Sequence, residues 1–163
     1  MPESAEQFFA AVLSAGAILC GFCGTFLSFR IQREAGYYRQ VALDFSSRQG
    51  RDIPLGLTHF TSALLLLILA TACSAIFGFV LPLLALNGAA WAASRRGFVV
   101  GGMMAALVLL GAYFLDELVH YKIVKCSRLV NDTREWKDEW WIVVIGTLAA
   151  ILAACSCVYF ARV

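Results

Sequence analysis

The chain has 163 residues, of which 61% are hydrophobic and only 15% charged, with a net charge of +2 and a mean hydropathy of +0.77. A soluble domain carries about 45–50% apolar and about 25% charged residues, so this excess of apolar side chains requires lipid. The charges are few and scattered between apolar runs, which excludes the clustered basic face of a nucleic-acid binder, and the short remaining segments exclude a second folded soluble domain.

The predicted fold class is an all-α integral membrane protein: one domain over residues 1–163, with four transmembrane helices in an antiparallel bundle and helical extensions of helices 1 and 3 on the cytoplasmic side. Each span is marked by an uncharged run of about 20 residues, the length of helix that crosses the hydrocarbon core with its backbone hydrogen bonds satisfied internally. The first span is placed at residues 8–29, between Glu6 and Arg30. No Lys or Arg precedes it and the apolar run is longer than a signal-peptide core, so it reads as a retained helix. Gly16, Cys20, Gly24 and Ser28 recur every fourth residue on one face, with Ala17, Gly21 and Thr25 beside them. Such rows let helix backbones approach closely in lipid, where association depends on van der Waals contact.

The connection over residues 30–60 holds Arg30, Arg33, Arg39, Arg48 and Arg51, together with Tyr37 and Tyr38. Nothing breaks the helix before Gly36, and Ser46-Ser47-Arg48-Gln49-Gly50 is the best loop candidate, ending ahead of Ile53-Pro54. From Ile53 to Ser94 there is no Asp, Glu, Lys or Arg. The strongest turn signal in this stretch, Asn87-Gly88, lies near its end, which favours one span, residues 61–86, over a membrane hairpin. Pro82 predicts a kink near its outer end, because it removes a backbone donor. Ala70, Ser74 and Gly78 form this span's small-residue row.

The third span, residues 98–119, carries Gly101 and Ala105; from Asp116 to Val130 neither Pro nor Gly interrupts a helical extension. The fourth, residues 140–161, carries Gly146, Ala150 and Ala154, and Trp136, Trp140 and Trp141 mark its entry as interfacial anchors. The connection over residues 120–139 holds Lys122, Lys125, Arg128, Arg134 and Lys137, whereas the opposite side has only Arg95, Arg96 and Arg162. This asymmetry predicts both larger connections in the cytoplasm and both termini on the non-cytoplasmic side of a cell membrane, plasma or inner. Asn131-Asp132-Thr133 matches a glycan acceptor but should then stay unmodified.

Ionisable groups at membrane depth are costly and so point to function, which singles out Asp116, Glu117 and His120 as a candidate ion or proton site. Asp116 and His120 are four residues apart and share a helical face; the simpler role for Asp116 is an ion pair with Arg30 or Arg33. His59 and His120 flank the same interface and are candidate cofactor ligands, since two imidazoles on neighbouring helices can hold haem. The step from Glu117 to His120 is the Glu-x-x-His of di-metal bundles, but a second copy is absent and no metal site is predicted. Cys20-Gly21-Phe22-Cys23 is a C-x-x-C candidate redox pair, yet it falls inside a span where a thiolate is poorly solvated and Cys20 fits the small-residue row. Arg30, Arg33, Arg39, Tyr37 and Tyr38 are expected at lipid headgroups. No phosphate loop, nucleophile elbow or zinc motif is present, and no catalytic residue is nominated.

The sequence therefore predicts a non-enzymatic bundle without a resident cofactor, acting through association with itself or with other membrane proteins. An oligomeric channel or transporter with a polar cytoplasmic mouth is the alternative, and a redox or haem-binding membrane protein the third reading.

Overall fold

The computed structural model describes residues 3–43, 53–88, 95–126 and 135–160, with side chains over 4–36, 62–88, 95–119 and 140–159. Regular structure among the described residues is entirely helical: α1 (Glu3–Leu43), α2 (Ile53–Ala75), a π-helical turn (Ile76–Val80), α3 (Leu81–Leu86), α4 (Arg96–Cys126) and α5 (Glu135–Phe160). Four helical stretches are long and apolar enough to cross a membrane: Ser4–Gly36, Ser62–Leu86, Arg96–Val119 and Trp140–Tyr159. Large apolar side chains such as Ile18, Phe22, Leu118 and Leu152 lie on the outside of the molecule, an arrangement suited to lipid rather than to water.

The helices outrun the spans. Gly36 does not end α1, which continues to Leu43 over 41 residues. α2 begins at Ile53, well before the predicted start at 61, because Pro54 stands in its first turn, where a missing donor costs nothing. α4 continues to Cys126. The loop candidate Ser46–Gly50 and the acceptor Asn131–Thr133 lie outside the described residues.

Pro82 acts through the turn that precedes it. Its ring has no donor and crowds the carbonyl four residues back, which is that of Gly78. The chain widens there into the π-helical turn, and the Leu81 amide reaches the carbonyl of Ile76, five residues earlier. The predicted kink is thus accommodated by a change of helical register. α3 closes at Asn87, whose amide donates to Leu83 at 3.0 Å, and Gly88 turns the chain at φ +88°. Only glycine adopts that backbone without strain.

α4 packs most extensively against α5 and against α2, while α1 lies along α2, the π-helical turn and α3. Phe9, Ala85 and Val99 form one core cluster; a larger one gathers Cys23, Leu66, Leu67, Ala70, Leu109, Tyr113 and Val143. Small residues set the spacing between helices. A Cβ on Gly16 would fall on the backbone of Gly78, one on Gly101 would come within 2.8 Å of the Ala154 carbonyl oxygen, and one on Gly146 within 2.6 Å of Ala112 Cβ. These rows join the chain's own helices. Gly21 and Gly24, on the same helix as Gly16, have open space where a side chain would be.

Candidate functional site at the charged end of the bundle

Helix geometry fixes the depth of the charged residues. Val99 is packed with Phe9 and Ala85 at one end of α4, and Asp116 follows it by 17 positions, or about 25 Å at the α-helical rise. That separation is most of the thickness of a hydrocarbon core, which is about 30 Å. The extensions of α1, α2 and α4 continue beyond the level of Asp116.

At this level α1, α2 and α4 enclose polar side chains. Asp116 is fully buried and accepts a hydrogen bond from Ser62 Oγ at 3.3 Å. Arg30, 2% exposed, pairs through Nη1 with Glu117 Oε1, and its Nε lies 3.5 Å from Glu34 Oε1. Arg33, on the more open side, approaches Glu34 at 3.6 Å and Glu117 at 3.8 Å. Tyr113 is one helical turn before Glu117 and is 7% exposed. Its ring stacks toward Phe26 of α1 at 6.2 Å. Two guanidiniums and three carboxylates share one partly dry space, where each charge needs partners to offset the loss of water.

The sequence points to Asp116, Glu117 and His120, with Arg30 or Arg33 as the ion-pair partner of Asp116; the structure brings Arg30 and Arg33 to Glu117. The guanidinium partner expected at Asp116 is found at Glu117, one residue on; Asp116 faces Ser62 of α2. Glu34, Ser62 and Tyr113 were not nominated. Glu34 was readable as the i+4 partner of Arg30, whereas Ser62 and Tyr113 stand within apolar runs and carry no local signal. His59 on α2 and His120 on α4 continue past the Ser62–Asp116 contact in sequence, but their side chains, like those of Tyr37, Tyr38 and Arg39, lie outside the described residues.

Cys20 and Cys23 are free thiols. Cys23 is fully buried in the larger core cluster and meets Ser74 of α2, and Cys20 is half-buried one turn earlier. Among the described residues no group of three or more His, Cys, Asp or Glu side chains is placed to hold a metal ion. Away from the charged end, the described residues line two further hollows. One is a shallow groove on the outside of α1 lined by Gly21, Gly24, Thr25, Ser28, Phe29 and Gln32. The other is an apolar cavity of about 640 Å³ bounded by α2, the π-helical turn, α4 and α5.

Four helices long and apolar enough to cross a membrane, with large apolar side chains on the outside, give the chain the character of a multi-pass membrane protein. No protein-family model, curated protein or solved structure matches it.

Proposed function

We propose that this chain is a non-enzymatic membrane bundle that acts by lateral association, and that the outer face of α1 is its contact surface. Its helices alternate in direction, with the charged connections on the cytoplasmic side and the termini on the other. The observation that carries this reading is the groove formed by Gly21, Gly24, Thr25 and Ser28. It has the close-approach pattern of a helix contact, and no described residue of another helix lies within 4 Å of a Cβ placed on Gly21 or Gly24. The other small-residue rows are occupied within the bundle. Thr25 Oγ1 bonds back to the Gly21 carbonyl at 2.8 Å, which leaves the face smooth for a neighbouring backbone. Oligomer mass in mild detergent, or subunit counting in liposomes, tests it. The unmodified chain is expected to form a defined oligomer that Gly24→Leu and Ser28→Leu convert to monomer; a monodisperse monomer for the unmodified chain overturns the reading.

A second reading rests on a different observation. Asp116 is fully buried on α4, next in sequence to Glu117 of the ionic cluster, and accepts a hydrogen bond from Ser62. A buried acid of this kind suits a proton or a monovalent cation, as in an oligomeric channel or transporter. Asp116→Asn preserves the shape and removes the charge. Proteoliposome flux should fall sharply with it, and flux equal to that of the unmodified chain removes Asp116 from any such path.

A further inference from the structure

The apolar cavity lies where two helices part company. α2 and α5 come together at Leu66, whose methyl group is 3.9 Å from a Cβ placed on Gly146. From Leu69 on α2 and Thr147 on α5 the cavity lies between the two helices and continues to Tyr159, floored by Gly102 and Ala105 of α4. The π-helical turn supplies a wall: Phe77 is laid against Gly102 so closely that a Cβ there would fall on its ring. Wide turns of this kind are concentrated at functional positions in helices.

Length and position identify what fills it. On α4 the lining runs from Phe98 to Leu109, which is about 16 Å of helix and close to half of a hydrocarbon core about 30 Å thick. The cavity thus spans a single leaflet, the one opposite the charged end. Apart from Thr147, Tyr159 and two thiols its walls are hydrocarbon, so water gains too few hydrogen bonds to enter. Left empty, it would forfeit the dispersion contacts of every wall. Ile151 and Cys155 are exposed at its rim, giving entry from the side.

We propose that this cavity is a binding site for one acyl chain of a membrane phospholipid, drawn from the leaflet at the Phe98 and Tyr159 end. The chain lies along α4 between α2 and α5, and the headgroup stays at the interface. It differs from the surrounding lipid in being held on three sides. The site is independent of the α1 groove, which faces another direction on another helix.

The test uses the full chain in liposomes containing a phosphatidylcholine with a diazirine in its acyl chain. After irradiation and digestion, adducts should concentrate on Leu69, Cys73 and Ala105 over outward residues such as Ile18 and Leu118. Ile151→Trp, which places a ring in the cavity, should lower the cavity adducts about fivefold or more, as expected when a site that buries most of its ligand is filled. Leu152→Trp, one residue away and facing outward, should leave them unchanged. Adducts spread evenly over inner and outer faces in the unmodified chain overturn the proposal, leaving ordinary boundary lipid. Crosslinks between the Cys155 thiols of two copies, formed by a bifunctional thiol reagent in a parallel sample, also overturn it, in favour of a second chain as the occupant. Because the adduct map is read first on the unmodified protein, a variant that fails to fold does not decide the outcome.

Discussion

Two glycines on one helix separate packing inside the chain from packing outside it. Gly16 touches the backbone of Gly78, which cannot move aside as a flexible side chain could. Gly16→Leu should destabilise the bundle by about 3 kcal/mol, the upper end of overpacking costs, read as a lowered midpoint of thermal unfolding in detergent. Gly24→Leu meets open space within its own chain and should leave that midpoint nearly unchanged when both proteins are dispersed as monomers in detergent. Arg30 belongs to a different regime, because its removal takes the buried guanidinium from Glu117 and leaves the more exposed Arg33 beside that carboxylate. Arg30→Met should cost about 3–5 kcal/mol, and the double variant Arg30→Met with Glu117→Gln should recover much of the loss. The same unfolding assay measures both. At this scale the sequence was informative where a charge abutted an apolar run, as at Arg30, Asp116 and Glu117. It was silent on Ser62 and Tyr113, since a hydroxyl within an apolar run resembles any small or aromatic filler. The contact from Ser62 to Asp116 joins residues 54 positions apart, beyond the reach of local patterning.

Among the elements, the spans were legible because lipid punishes unsatisfied backbone and buried charge so severely that hydropathy alone marks them. Element ends were less legible. The apolar run places the second helix from 61, yet α2 opens at Ile53 with Pro54 in its first turn, because that turn has no use for the donor proline lacks. Pro82 announced a disturbance but not its kind. The π-helical turn from Ile76 to Val80 holds one residue more than an α-helical turn, and this suggests a deletion experiment. Removing Phe79, which is exposed, should let the segment close into ordinary α-helix with both flanks still facing their partners. Removing Leu65, also at the surface, rotates everything beyond it by about 100°. The first deletion is expected to yield folded protein and the second is not, as judged by monodisperse elution after extraction. Equal failure of both would show that the extra residue serves something other than relief of Pro82.

For the whole molecule, the register of contacts ties the two ends of the packed helices to different physics. One end is held by Phe9, Ala85 and Val99 through shape, and the other by Arg30, Glu34 and Glu117 through charge. Raising ionic strength should barely change stability, because the ion pairs that matter are buried and poorly screened; a steep salt dependence of the unfolding midpoint would contradict this. Cysteine-accessibility mapping should find Cys126 reachable by impermeant reagents from the cytoplasmic side only, and labelling from the opposite side would invert the proposed orientation. The pairing of Arg30 with Glu117 also has a meaning during synthesis. The two residues are separated by 87 positions, so at ribosomal speeds Arg30 is made about 4–17 s before its partner exists. Over that interval α1 offers the membrane a cation matched only by Glu34, one turn along. Its insertion is therefore provisional, to be completed when α4 arrives, and a nascent chain halted before Glu117 should be released from the membrane more readily than one halted just after it.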